Sequence, residues 1–308
     1  MEYYHARPQS IESVVAKLIL RINGRKKLLE RQSTKGDYTD FDIPLPPDFI
    51  TRDLQVETTR IGEKNVFIIS PVDSKSEKNV LFLHGGAYVQ NMSSHHWQLV
   101  GQLSWSTGCT FTVPDYPMAP DHNYMDAFAM VETLYQEMIV KTDPDNIIFM
   151  GDSAGGGFAL ALAQKMKIGQ VVKPGRVILI SPWLDFTLTN PLIPPLERKS
   201  LLLELKSLLK VSRSYAGDTP GNHYQLSPIN GPLDGLPEIS LFTGTHDLLF
   251  PDCLKFKNLM LEQGLSLNYY EFPKMIHDWP LISFLPEAKA AVKIIETLIS
   301  STNQKKYL

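Results

Sequence analysis

Cysteine is scarce in this sequence: Cys109 and Cys253 are the only two among 308 residues. Two cysteines cannot build the disulfide framework of a small secreted domain. Both lie in apolar stretches, so we expect two free, buried thiols. The fold must therefore depend on a hydrophobic core. A chain of this length with 43% hydrophobic residues can form one large α/β domain with an accessory piece, or two small domains.

Long apolar runs and an excess of charge are also missing. No stretch approaches the roughly 18 apolar residues of a membrane span, and residues 1–5 do not start a basic region followed by an apolar core, as a signal peptide would. We therefore expect a cytoplasmic protein without stable membrane insertion. The net charge of −3 gives no electrostatic footprint for nucleic acid, so nucleic acid is not expected as a partner.

Strand and helix patterns alternate through most of the chain, and this alternation predicts the fold class. A hairpin is predicted around Gly62, and short apolar runs with β-rich composition are followed by stretches with helical periodicity. Strands alternating with helices predict an α/β fold with a mainly parallel, doubly wound central sheet flanked by helices. The strands are expected at residues 54–58, 65–69, 80–83, 110–113, 147–150, 176–180, 239–243 and 267–272.

Two apolar segments do not fit the alternation, and we predict that they form a helical cap. Residues 9–31 read as one helix, whose stripe is expected to pack against another part of the chain as half of a lid. Attachment of this stripe to a membrane surface is the alternative. The second segment is an insertion at about residues 186–224 with a leucine-rich helix at about 197–210. The predicted division is a cap segment at 1–45 and a catalytic domain at 46–308.

A tight turn at residues 151–157, Gly-Asp-Ser-Ala-Gly-Gly-Gly, joins a predicted strand to a predicted helix. Gly-x-Ser-x-Gly in this context is the pattern of a nucleophile elbow, in which Ser153 is exposed at the edge of the sheet. The N–H of Ala154 would then face a developing negative charge. The alternatives are a glycine-rich turn with a buried or capping serine, or a phosphate-binding loop.

A serine nucleophile needs a base and a group that orients the base, and both should follow strands of the sheet. His277 follows the last predicted strand and is the candidate base, while Asp247 follows the strand before it and is the candidate acid. The order Ser153, Asp247, His277 is that of an α/β-hydrolase triad. His246 and Asp252 are the rivals, but Asp252 follows Pro251 at a helix start, where a capping carboxylate is the simpler explanation.

The sequence His84-Gly85-Gly86-Ala87-Tyr88 follows a buried strand and could complete an oxyanion hole. Glycines let the backbone approach a substrate closely, which leaves N–H groups free to bind an oxyanion. We assign the donors to Gly86, Ala87 and Ala154, with a shift to Gly85 and Gly86 as the alternative. His84 is expected to brace this loop by hydrogen bonding.

These motifs together resemble the hormone-sensitive-lipase-like branch of the α/β-hydrolase fold, bacterial carboxylesterases with an N-terminal helical cap. The sequence departs from the family's pattern in two places. Ala87 stands where the family usually has a third glycine, and Pro117 stands where the family has an arginine, which puts a structural ion pair in doubt. The likeness spans roughly residues 80–280, through His84 to Tyr88, Asp115 to Asp121, Gly151 to Gly156, Ser181 to Asp185, the Asp247 loop and His277.

Further polar and aromatic residues near the motifs have weaker assignments. Tyr88, Trp183 and Trp279 are predicted to line the substrate cleft, although aromatic residues near strand ends are often simply core. Adjacent histidines such as His95 and His96 cannot both face one metal from a regular helix or strand, and no metal site is predicted. Asp152 is expected to hold the elbow by a hydrogen bond.

The resulting hypothesis is a serine carboxylesterase that hydrolyses short- to medium-chain acyl esters through an acyl-serine intermediate, without a metal or organic cofactor. Its predicted partner is a small-molecule ester. The oligomeric state stays open, with a homodimer among the alternatives. An amidase or peptidase, a lipase, and a non-catalytic ligand-binding protein of the same fold are the competing functions.

Overall fold

The computed structural model describes residues 1–24, 26–35, 38–74 and 76–301. The strands are β1 (Glu2–Tyr4), β2 (Gln55–Ile61), β3 (Lys64–Ser70), β4 (Asn79–Leu83), β5 (Thr110–Pro114), β6 (Ile147–Asp152), β7 (Arg176–Ile180), β8 (Glu238–Gly244) and β9 (Asn268–Phe272). The helices are α1 (Ile11–Ile22), α2 (Lys26–Lys35), α3 (Asp48–Asp53), α4 (Ser94–Thr107), α5 (Tyr124–Lys141), α6 (Ser153–Ile168), α7 (Ile193–Leu196), α8 (Leu205–Ala216), α9 (Phe250–Glu262) and α10 (Pro286–Ser300).

The nine strands found among the described residues form one sheet in the order β1-β9-β8-β7-β6-β4-β5-β3-β2. Only β3 pairs antiparallel with its neighbours, β2 and β5, and every other pair is parallel. The chain winds in one direction from β4 to β5 and in the other from β6 to β9. This reversal confirms the predicted doubly wound α/β sheet and places a crevice at the carboxyl ends of β4 and β6.

The sheet is buried on both faces because helices cover both sides. In β4, Val80 and Phe82 belong to one hydrophobic cluster, whereas Leu81 and Leu83 belong to the other. This division follows from the alternation of side chains along a strand. It explains why the parallel strands read in the sequence as continuous apolar runs. The two cysteines are free and buried, as predicted.

Several elements differ from the sequence prediction. The single helix predicted at residues 9–31 is two helices, because α1 ends at Ile22 and Gly24 adopts a φ of 61° that a helix cannot continue through. In the insertion, α8 starts only at Leu205 and extends to Ala216. The leucines just before it lie in an irregular segment, where the Ser200 hydroxyl donates to the Leu203 carbonyl at 2.9 Å.

The largest difference concerns the apolar stripe of α1, which was expected to pack within the chain. It faces outward instead. Between 48% and 79% of each stripe side chain is exposed, while Ser13 and Ala16 form the buried side of the helix. The exposed stripe consists of Ile11, Val14, Val15, Leu18, Ile19 and Ile22.

Candidate active site

Ser153 occupies a sharp turn between β6 and α6. Its φ of 51° lies in the left-handed region, which is uncommon for a residue other than glycine. The turn can form because Gly155 has no side chain: a Cβ there would collide with the carbonyl oxygen of Leu83 in the neighbouring strand. Sequence and geometry thus agree on a strained elbow at the carboxyl end of β6.

A continuous hydrogen-bonded chain joins this serine to the predicted base and acid. The distance from Ser153 Oγ to His277 Nε2 is 2.8 Å, and His277 Nδ1 lies 2.9 Å from Asp247 Oδ2. With His277 neutral, the serine hydroxyl donates to Nε2 and the Nδ1–H donates to the carboxylate. All three side chains are buried. The structure therefore brings together three residues that are far apart in the sequence.

Asp247 rather than Asp252 lies beside the histidine. The second oxygen of Asp247, Oδ1, accepts the N–H of Leu249 at 3.0 Å, which fixes the carboxylate. Asp252 lies in the first turn of α9 and accepts a 2.9 Å hydrogen bond from Asn190 Nδ2. It does not cap the helix, contrary to the sequence-based explanation, because no side-chain cap bond forms there.

A second carboxylate, missed in the sequence, also contacts the histidine. Asp278 Oδ2 lies 2.9 Å from His277 Nε2, the same nitrogen that faces Ser153 Oγ. Asp278 adopts a left-handed conformation with φ 49°, and its backbone N–H donates to Ser181 Oγ at 3.2 Å. The available sequence signal was its position directly after the candidate base.

The two carboxylates control the protonation of the imidazole. Burial alone would lower the pKa of His277, but Asp247 and Asp278 outweigh burial and hold this pKa well above its ordinary value. For Asp278, burial raises the pKa of the carboxyl group. Nε2 can therefore hold a proton that is shared between the serine and Asp278.

Two residues of the loop after β4 line the same cavity. Gly86 and Ala87 line the cavity with Ser153, and their N–H groups have no acceptor among the described residues. The N–H of Gly85, in contrast, donates to Asp152 Oδ1 at 3.0 Å. Because that donor is already engaged, the geometry favours Gly86 and Ala87 over the one-residue shift. Ala154 lies in the first turn of α6, where a backbone N–H has no acceptor within the helix.

A buried histidine–aspartate pair lies behind the elbow. His96 Nε2 is 3.1 Å from Asp152 Oδ2, and burial alone would lower the pKa of His96, but Asp152 outweighs it and raises that pKa. Asp152 thus bonds both the loop after β4 and α4, which extends the single hydrogen bond predicted for it. Nothing in the local sequence around His96 indicated this role.

His84 braces the loop, as predicted. Its Nδ1–H donates to the Gly85 carbonyl at 2.6 Å, and its ring stacks on Tyr116 with centroids 4.5 Å apart. Complete burial lowers the pKa of His84 to about 4, so the ring is neutral at physiological pH.

The cavity beside Ser153 has a volume of about 410 Å³. Side chains from α1 and α2, from the insertion and from the segment after His277 form much of its wall. Tyr88, Trp183 and Trp279, predicted to line the cleft, are buried and do not occur among the described residues of the wall. Tyr88 instead donates from its hydroxyl to the Ala154 carbonyl at 2.6 Å. The apolar wall includes Ala16, Ile19, Leu20, Phe41, Leu202, Leu203, Leu281, Ile282 and Phe284.

Comparison with known proteins decides the family. Residues 80–281 match the family model described as alpha/beta hydrolase fold. The chain belongs to this family. The match begins in β4 and ends just after His277, so it contains the whole hydrogen-bonded chain of this α/β hydrolase. The family and the fold class predicted from the sequence motifs are thus confirmed.

Relatives of this α/β hydrolase include an esterase from Acinetobacter venetianus, 30% identical over 226 residues, which cover 72% of this chain and 74% of the relative. An esterase/lipase from an uncultured bacterium, known from a crystal structure, is 25% identical. The superposition has a TM-score of 0.79 and covers 94% of this chain and 98% of that chain. The structure of an esterase from the bacterial hormone-sensitive lipase family superposes with a TM-score of 0.81 over 96% of this chain and 99% of that chain. At 21% identity this similarity supports the fold alone.

Proposed function

We propose that this α/β hydrolase is a serine carboxylesterase and that Ser153, His277 and Asp247 are its catalytic triad. The observation that carries the proposal is the unbroken chain of hydrogen bonds from Ser153 Oγ through His277 to Asp247, at 2.8 and 2.9 Å. A serine in this arrangement is a nucleophile, because the histidine can accept its proton while the aspartate fixes the tautomer.

The reaction proceeds in two halves. His277 Nε2 takes the hydroxyl proton while Ser153 Oγ attacks the ester carbonyl, and the C=O electrons move to the oxygen. As the tetrahedral intermediate collapses, the C–O bond to the alcohol breaks and His277 protonates the leaving oxygen. Water then attacks the acyl-serine in the same way, releases the carboxylic acid and restores Ser153.

The N–H groups of Gly86, Ala87 and Ala154 stabilise the oxyanion of each intermediate. Support comes from Gly86 and Ala87, which line the cavity and whose N–H groups have no acceptor among the described residues, and from the engagement of Gly85 with Asp152. One preorganised donor of this kind contributes about 2.7–4 kcal/mol to transition-state stabilisation.

The substrate class follows from the wall of the cavity and from the relatives. Aliphatic and aromatic side chains surround about 410 Å³ next to the serine, which suits a short to medium acyl chain. The relatives include an esterase and an acetyl-hydrolase. A small-molecule carboxylic ester is therefore the proposed substrate.

Three further proposals originate in the sequence. The division into a cap at 1–45, a catalytic domain at 46–308 and a cap insertion at 186–224 is supported by packing of α2 against α8 and by Ile19 and Leu203 on one cavity wall. Residues Glu2–Tyr4, however, contribute the edge strand β1 to the sheet. A homodimer and a cytoplasmic location are also proposed, and they rest on the sequence alone. Among the described residues, no helix is long and apolar enough to cross a bilayer.

The test is hydrolysis of p-nitrophenyl esters with acyl chains of increasing length. We expect turnover by the native protein to decrease as the acyl chain becomes long. In Ser153→Ala, kcat should fall by about 10⁶-fold, as it does when a triad serine is removed. His277→Ala should lose a comparable factor. Ser106→Ala, at an exposed serine of α4, is the matched control and should keep full activity. Undiminished turnover by Ser153→Ala would exclude the mechanism.

A further inference from the structure

Helix α1 is attached to the protein by its polar side. The backbone N–H and hydroxyl of Ser10 donate to the Glu287 carboxylate on α10 at 2.7 and 2.8 Å, and the Ser13 hydroxyl donates to it at 2.6 Å. Lys17 Nζ donates to the Lys274 carbonyl at 3.2 Å. These bonds fix the rotation of the helix about its axis. An amphipathic helix of a globular protein normally buries its apolar stripe, but here the side with the small residues Ser13 and Ala16 is buried instead.

The exposed apolar stripe is too large to be an ordinary surface feature. Single exposed aliphatic residues are common, but this helix exposes six in a row along one side, including Ile11 at 79% and Ile22 at 74%. A contiguous apolar surface of this kind is typical of a binding surface. We call these six residues, with Phe41 and Phe284, the apolar face.

The apolar face is continuous with the mouth of the catalytic cavity. Ile19, Phe41 and Phe284 are each exposed by 46–58%, and all three also line the cavity that contains Ser153. A surface that covers α1 would therefore also cover the entrance through which an ester reaches the serine.

Either a second copy of this chain or a lipid surface could cover the apolar face, and the charge of the helix distinguishes them. Residues 7–31 contain seven basic and two acidic side chains, a net charge of +5, whereas the whole chain carries −3. In a symmetric dimer the same basic segment would meet itself, and like charges would repel. The surface of an anionic lipid bilayer, with acyl chains below charged headgroups, complements both the aliphatic stripe and the basic side chains.

We propose that the apolar face binds the surface of anionic lipid bilayers and thereby holds the cavity mouth against the lipid. The helix has 12 residues, about 18 Å at 1.5 Å per residue, so it lies in the interface and does not cross it. Basic side chains such as Arg21 contact the headgroups while Leu18 and Ile22 enter the acyl region. The proposal concerns binding, so it stands independently of the ester chemistry.

The test measures cosedimentation of the full chain with vesicles of phosphatidylcholine alone and with added phosphatidylglycerol. The Ser153→Ala variant is used, because it separates binding from lipid hydrolysis. We expect binding to vesicles that contain phosphatidylglycerol, weaker binding to phosphatidylcholine alone, and release by salt. Leu18→Asp/Ile22→Asp should weaken binding at least about tenfold, since two aliphatic side chains leave the interface.

The matched control is Val140→Asp/Leu261→Asp, which places two aspartates at aliphatic residues of α5 and α9 that are 84% and 68% exposed. The control should bind as the parent does, and unfolding midpoints should show that all variants fold. Equal binding by both double variants would overturn the proposal. The proposal would also be overturned if the parent protein did not bind vesicles and instead formed a dimer in light scattering. Leu18→Asp/Ile22→Asp would then dissociate that dimer.

Discussion

The carboxyl edge of the sheet buries polar side chains, whereas helix α1 exposes aliphatic ones. At the edge, the polar side chains of Ser153, His277 and Asp247 are buried and satisfy one another. On α1, the small side chains of Ser13 and Ala16 face inward, while a stripe of six aliphatic side chains faces outward. Each arrangement is costly unless it is compensated, by hydrogen bonds at the edge and by an external apolar partner at the helix.

Because the two regions are built differently, substitutions in one should leave the function of the other intact. Substitutions at the buried edge should change the hydrolysis of dissolved esters and leave vesicle binding intact, because no edge residue belongs to the apolar face. Substitutions on α1 should alter vesicle binding. The following changes test that separation at the edge.

The largest effect is expected from Asp247→Asn. An amide cannot hold His277 in the required tautomer or stabilise its imidazolium form, so kcat should fall by about 10⁴-fold. The matched control is Asp252→Asn, which removes a carboxylate two residues into α9 that does not contact the histidine. Steady-state kinetics on a p-nitrophenyl ester distinguish the two. A larger loss in Asp252→Asn would contradict the assignment of the acid.

An intermediate effect, on pH dependence, is expected from Asp278→Asn. The Asp278 carboxylate helps to keep His277 protonated, and only neutral His277 can act as the base. Removing that charge lowers the pKa of His277, so the acid limb of kcat/KM should move to lower pH. Asparagine tolerates the left-handed backbone at this position, which limits structural damage.

The other charged groups around this site should stay in place in that experiment. Asp247 faces His277 from the loop after β8, and Asp152 and His96 act on Asp278 from behind the elbow. Because Asp247 still raises the pKa of His277, the shift should be partial. An acid limb that stays in place, or that moves to higher pH, would contradict the role of Asp278.

The smallest effect is expected from Ala87→Gly. Ala87 adopts a φ of 53°, where a side chain is strained and glycine is not. The substitution should raise the free energy of unfolding by up to about 1 kcal/mol and leave turnover nearly unchanged, because the backbone N–H remains. Chemical denaturation measures the first quantity and ester hydrolysis the second.

Gly86→Ala is the matched comparison one residue earlier. A Cβ at Gly86 would collide with the carbonyl oxygen of Gln90, and its φ of 116° disfavours any side chain. This variant should lose both stability and activity. If Ala87→Gly caused the larger loss, the strain at Ala87 would have to be functional.

The carboxyl edge was predictable because its signals are local. A serine between glycines after an apolar strand specifies the elbow, and strand order brings Asp247 and His277 to the same edge. The rotation of α1 was not predictable, since periodicity shows that a helix has two sides but not which side meets the protein. That choice depends on Glu287, which lies more than 270 residues away.

The oxyanion loop and the elbow are connected by two hydrogen bonds, from Gly85 N to Asp152 Oδ1 at 3.0 Å and from the Tyr88 hydroxyl to the Ala154 carbonyl at 2.6 Å. Because these bonds join the loop that carries the proposed oxyanion donors to the turn that carries Ser153, we expect the donors and the serine to keep their spacing. The dipoles are oriented during folding rather than at each turnover, so little reorganisation energy is left for the reaction itself. The spacing between Ser153 and the proposed donors should thus already be set in the resting protein.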